Sequence, residues 1–298
     1  MRKFRSLGKL LAVVLTLGMI VCCMSACGSA NETETEEPAA EEETEEAEAE
    51  PVEQQDLIVF AAASMTETLT ELGDDYMADH PEINIVYTFD SSGTLKTQIE
   101  EGADCDIFIS AAQKQMNALD ATQDAENNPD GLDFVDPETR FDILENTVVL
   151  VVPEGNPKGI ESFDDMKAGL EDGSITMAMG NEDVPVGQYT QKILAFYNLD
   201  EAALASAGSI TYGTNVKEVT TQVTEGTVDC GVIYATDAYS AGLDPVDTAT
   251  EEMCGKTIYP AAVLKGTSDK EAAQAFLDYL QEDHAKEVFE KVGFIPLT

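Results

Sequence analysis

From about residue 56 to the end, the chain alternates short apolar runs with amphipathic ones, the pattern of an α/β protein. Leu57, Ile58, Val59 and Phe60 form a β-branched and aromatic run that predicts a buried strand. Three alanines follow, and Ser64 stands three residues before Glu67, the spacing of a capping box. Met65, Leu69, Leu72 and Tyr76 then recur at steps of four, three and four, which puts them on one helical face. The same punctuation returns along the chain. A strand over 83–89 runs into Ser91, Ser92 and Gly93 and a helix carrying Leu95 and Ile99. A strand over 106–110 precedes a short helix over 111–119, and the polar stretch 121–136 reads as a loop. Strands are predicted at 147–152 and 174–180, the latter followed by Pro185, Val186 and Gly187 and a helix over 189–197. A strand over 210–213 leads into Asn215 and a helix with Val216, Val219 and Val223 on one face, and a strand over 230–234 turns away at Ala235. The last predicted strand is 258–264. Ser268 and Glu271 then make a second capping-box pair for a final helix, with Phe276, Leu277, Leu280, Val288 and Phe289 facing the core.

Four of these junctions matter chemically: Ser64, Ser91 to Gly93, Pro185 to Gly187, and Asn215 with Val216. Each aims unpaired backbone N–H groups and the positive end of a helix dipole out of the carboxyl edge of a strand, where an anion is favoured. Taken singly, each is also what an ordinary capped strand-to-helix junction looks like. If they converge, with the Tyr234 hydroxyl beside them, they make a cage of neutral donors containing no acid and no obligatory cation.

The ends change the picture of where the protein works. Arg2, Lys3, Arg5 and Lys9 precede an apolar run over 10–21 and then small residues before Cys27, the layout of an export signal, in a run too short to span a bilayer. Met24-Ser25-Ala26-Cys27 resembles the bacterial lipobox, which implies cleavage after residue 26 and lipidation of Cys27. Residues 27–55 then form an acidic tether: between Asn31 and Glu53 there are twelve Glu and no basic residue, too little apolar surface to fold.

The formal charge is −42, becomes −46 once the four basic residues of the signal are removed, and is still −34 with the twelve tether Glu set aside. That excludes nucleic acid as a partner, since binding it needs Lys and Arg in excess. An anionic ligand must then be held by local donors. The far field is no bar, because two unit charges about 20 Å apart in water interact by only ~0.2 kcal/mol. Beyond Cys27, the cysteines Cys105, Cys230 and Cys254 are odd in number, so at least one is unpaired in a monomer, and none has metal-ligand spacing.

Five segments together resemble the molybdate-binding periplasmic or surface lipoprotein of ABC importers: 59–64 (VFAAAS), 89–95 (FDSSGTL), 106–111 (DIFISA), 184–187 (VPVG) and 231–238 (GVIYATDA). The likeness runs from about residue 56 to 294 in the family's order and spacing. It implies an α/β, two-lobed type II periplasmic-binding-protein fold with two hinge-crossing strands, lobe 1 at 56–139 plus 259–298 and lobe 2 at 140–258. It also implies that Ser64 and Ser92 each give an amide and a hydroxyl, Val186 and Val216 a backbone N–H, and Tyr234 its hydroxyl. The implied ligand is molybdate or tungstate, with no catalytic residue, cofactor or protein metal ligand. The implied partners are an ABC permease with its ATPase, and the implied state is a monomer on the outer face of the cell membrane. The family commonly has Ala-Gly after the proline. Val186-Gly187 here changes wall volume rather than a hydrogen bond, and Gly93 stands where some relatives carry a third serine.

Electrostatics suits a dianion: four helix starts at roughly +0.5 each offset a charge of −2 without a salt bridge. Hydrogen bonds to a charged acceptor contribute ~1.5–3 kcal/mol each. Lys96 and Lys217 lie near two of these starts and either add charge or sit on solvated faces. Sulfate or another oxyanion is the alternative ligand. A serine hydrolase is the remote rival, with His80 and His284 the only histidines and no GxSxG or SxxK motif beside Ser64 or Ser92.

Overall fold

The computed structural model describes residues 54–298; the expected signal, Cys27 and the tether as far as residue 53 lie outside the described residues. The chain enters through β1 (Gln55–Ala62), a one-turn 3-10 helix (Ala63–Met65) and α1 (Thr66–Asp79). Next come β2 (Ile83–Asp90), α2 (Ser92–Glu100), β3 (Ile107–Ile109), α3 (Gln113–Asn117) and β4 (Phe141–Asn146). A second set follows: β5 (Val148–Val151), α4 (Phe163–Asp172), β6 (Met177–Gly180), α5 (Pro185–Phe196), α6 (Glu201–Ala207), β7 (Ile210–Gly213) and α7 (Val216–Thr224). It ends with β8 (Cys230–Tyr234), α8 (Ala235–Ala241), β9 (Asp247–Thr248) and α9 (Glu251–Cys254). The chain then returns through β10 (Thr257–Val263), α10 (Lys270–Tyr279), α11 (Asp283–Val292) and β11 (Ile295–Pro296).

Two sheets result, one per lobe. The first has the order β11-β4-β10-β3-β1-β2 and the second β7-β6-β8-β5-β9. In the first, β1 is parallel to β2 and β3 while β10 runs antiparallel between β3 and β4; in the second, β6 is parallel to β7 and β8. Helices therefore start at the carboxyl ends of β2, β6 and β7, the side on which open α/β sheets bind ligands. Strand β1 feeds both faces of its sheet. Leu57 and Val59 pack in the core containing Leu69, Leu72 and Phe276, while Phe60 turns to Leu95, Ile99, Phe108 and Met116. Each such side chain taken out of water contributes about 1.5–3 kcal/mol.

The structure moves several expected boundaries. Strand β4 was not expected; with Phe141, Asp142 and Glu145 part-exposed or exposed, its pattern is too mixed to read, and it is fixed by pairing with β10 and β11. The first passage between sheets therefore falls at Thr147, not residue 140, and the return strand starts at Thr257, not 259. Asn146 and Thr257 are paired neighbours, so the two crossings run side by side as a hinge. The Ser64–Glu67 capping box does not form: the 3-10 turn comes first, Met65 occupies the cap position of α1 without a side-chain bond, and Glu67 turns elsewhere. At the last helix the cap is Asp269, which accepts from the Ala272 N–H, and the helix divides where Glu282 is extended, so that Phe276 and Phe289 both reach the core.

Candidate functional site

Four helix starts meet at the junction of the lobes. In α2 the Ser91 side chain takes the Thr94 N–H and its carbonyl takes the Leu95 N–H, leaving the Ser92 and Gly93 amides at the free end. In α7 the Asn215 side chain takes the Glu218 N–H and its carbonyl the Val219 N–H, leaving those of Val216 and Lys217. In α5 the first bond runs from Gln188 to the Val184 carbonyl, leaving Val186 and Gly187; Pro185 has no N–H to lose. The 3-10 turn presents Ala63 and Ser64.

These starts enclose a cavity whose wall includes Ser64, Ser92, Val216 and Tyr234, with Asp90 and Pro185 beside them. Val186 is fully buried one residue behind Pro185 and is not on the wall itself. The space open to the centre of a water-sized sphere is about 10 Å³, room for about one water molecule. A space of that size excludes an amino acid or a sugar. A roomier groove of about 470 Å³ on the first lobe is lined by Asp56, Asp104 and Asp106, carboxylates that repel an anion.

Three hydroxyls on the wall, those of Ser64, Ser92 and Tyr234, are left as donors. The Ala111 N–H donates to Ser92 Oγ at 2.9 Å, so the Ser92 proton is free to point elsewhere. For Ser64 the direction is set two residues away. Asn146 Oδ1 accepts from the Thr147 N–H at 2.8 Å, which fixes its amide orientation. Asn146 Nδ2 then donates to Thr236 Oγ1 at 3.0 Å and to the Tyr259 hydroxyl at 3.1 Å. Tyr259, accepting there, shares a hydrogen bond of 2.9 Å with Ser64 Oγ, and with Tyr259 as its donor the Ser64 proton is left to the cavity. The Tyr234 hydroxyl is buried and has no partner. Burial, reinforced by Tyr259, raises its pKa well above the usual phenol range, so it stays protonated and donates. Asn146 and Tyr259 have no local sequence signature; only the fold brings them to Ser64.

The expected absence of acid needs correction, because Asp90 is on the wall. Its position one residue before the α2 cap puts it there, and its Oδ1 accepts from the Ser91 N–H at 2.7 Å and from Asn215 Nδ2 at 3.2 Å. The second of these bonds joins the lobes. Lys96 pairs with Glu100, one turn on in α2. Lys217 reaches across the cleft to both Glu67 oxygens at 2.8 Å and pairs at 3.3 Å with Asp237, whose carboxylate is buried. Burial, opposed by Lys217, raises the Asp237 carboxyl to about 6. His80 contacts Glu82 and His284 contacts Asp75, so neither histidine stands as a base to Ser64 or Ser92.

The model of a family described as bacterial extracellular solute-binding protein matches residues 57–295. YvgL of Bacillus subtilis, named a lipoprotein, is 34% identical over 240 residues, 80% of this chain and 85% of that one. The molybdate-binding protein ModA of Escherichia coli is 33% identical over 248 residues, 80% of this chain and 88% of that one. The solved periplasmic molybdate-binding protein of Azotobacter vinelandii superposes with a TM-score of 0.67 at 22% identity, over 80% of this chain and 98% of that one, a likeness of fold. Matched across nearly all of its described length and built as two α/β lobes whose helix starts line a small cavity, the chain belongs to the bacterial extracellular solute-binding protein family.

Proposed function

We propose that this protein captures molybdate, and tungstate with it, between its lobes outside the cell and delivers it to an ABC permease. The likeness to molybdate-binding relatives supports the ligand class. One observation carries the chemistry: a buried phenol without a partner, Tyr234, lines a cavity together with helix starts, serine hydroxyls and the already bonded Asp90. Ser64, Ser92, Val216 and Tyr234 meet the oxyanion, and the Val186 amide supports it from the start of α5. Every oxygen of a tetrahedral dianion finds donors there. A proton on the ligand, such as phosphate often carries at neutral pH, finds only the already bonded Asp90. Lipid on Cys27 and the acidic tether hold the receptor, as a monomer, at the outer membrane face.

A thermal-shift panel on the purified protein tests this. Saturation at about 100 times Kd adds ~2.7 kcal/mol, so molybdate and tungstate are expected to raise the melting temperature by several degrees and equal sulfate to do little. Equal shifts for all three would assign the cavity to sulfate-like oxyanions in general, and no shift with any would remove the oxyanion reading.

A further inference from the structure

Gly93 is the second residue of α2, in the first lobe, and its φ is not in the left-handed region, so the backbone itself does not call for glycine. Glycine in a helix costs about 0.5–1 kcal/mol relative to alanine. The reason for it lies across the cleft. A Cβ built on Gly93 would fall 2.9 Å from the carbonyl carbon of Asp183 and 3.0 Å from its Cβ, and nearer still to the carbonyl oxygen. Asp183 belongs to the second lobe, in the turn that leads into α5. That turn is braced: the Asp183 N–H donates to Asn181 Oδ1 at 2.9 Å and the Val184 N–H to the Asn181 carbonyl at 3.1 Å. Backbone therefore meets backbone, with no flexible side chain to give way.

We propose that the Gly93–Asp183 contact is the stop that sets how far the lobes close, making position 93 a determinant of cavity size and so of which oxyanion is held. The two backbones belong to the starts of α2 and α5, which supply amides from opposite walls of the cavity, so their approach fixes its width. The Asp90–Asn215 bond and the Lys217–Glu67 pair lie at the same rim and are formed at this degree of closure. Ordinary carbon contacts lie at ~3.5–4.0 Å, so a methyl group at 93 parts the walls by about an ångström. All donors then stand off the ligand, and the smaller anion loses more of its contacts than the larger.

This rests on the oxyanion reading, and calorimetric titration of the mature protein with molybdate and sulfate separates the two. Wild type that binds neither anion overturns both. If wild type binds, Gly93→Ala is expected to raise the molybdate Kd at least tenfold, to weaken sulfate further, and to leave the ligand-free melting temperature unchanged or slightly higher, since alanine favours the helix. Gly93→Val is expected to extend the loss in the same order. A Kd within twofold of wild type for Gly93→Ala, or a loss of affinity matched by a fall in ligand-free stability, overturns the proposal.

Discussion

A buried hydroxyl without a partner costs a fold about 1–3 kcal/mol, and Tyr234 carries one. Its ring is anchored by Tyr189 and Tyr259, with centroids 6.4 and 6.0 Å away, so the phenol holds its aim whether or not a ligand is present. Two opposite signs follow for Tyr234→Phe. The ligand-free protein should melt at the same temperature or higher. Molybdate binding should weaken by roughly 1–3 kcal/mol, about five- to 150-fold in Kd. Calorimetry and a thermal scan of one sample check both; an unchanged Kd would leave Tyr234 as a packed aromatic only. At this scale the sequence shows the residues that sit at a strand end or helix start, where chain direction dictates what faces outward. It does not show Asn146 and Tyr259. Their bonds span 113 residues between Asn146 and Tyr259 and 195 between Ser64 and Tyr259, and no local pattern encodes a hydroxyl oriented from so far away.

Elements were most legible where the apolar signal was dense. Strands β7 and β8 and the start of α7 fall where pattern and cap residues place them, while β4 was missed because half its positions are polar and its partners lie more than a hundred residues on. The capping serine at 64 was displaced by a single 3-10 turn, a shift that hydrogen-bond geometry decides and residue type does not. Helix α8 carries the least comfortable group in the described chain, Asp237. Around it stand Lys217 from α7, Glu67 from α1, Tyr234 from β8 and Tyr259 from β10. Strand β5 offers no titratable group, and on α11 only Lys286 among the charged residues is even half-buried. Burial raises this carboxyl to about 6 from its ordinary 3.8, so the fold prefers the protonated form. The resulting stability is fully present below about pH 3.8 and is lost as the pH rises through about 6. Between pH 4 and 7 wild type should lose about 2 kcal/mol relative to Asp237→Asn. Urea midpoints of both proteins at the two pH values measure this, and parallel pH profiles would contradict it.

On the scale of the whole molecule, a body with an excess of thirty-four negative charges holds a small cavity lined by helix starts, with no cation in its wall. The two facts are compatible because water and salt screen the distant carboxylates, while the helix starts act at contact range. The Asp90–Asn215 and Lys217–Glu67 contacts join the lobes, and the chain passes between them at the paired Asn146 and Thr257. The three cysteines of the described chain, Cys105, Cys230 and Cys254, are buried and unbridged, one in the first lobe and two in the second. Burial pushes Cys230 up to about 12 and raises the other two, so at neutral pH almost none is thiolate. Cys230 is fully buried, so an alkylating reagent can reach it only when the second lobe comes apart. The mass gained with time should count those openings, and saturating molybdate should slow the count by the factor its occupancy dictates; rapid modification of Cys230 in the intact protein would refute this. The receptor carries in its sulfur atoms a clock for its own unravelling, one that cargo should slow and that needs no added dye.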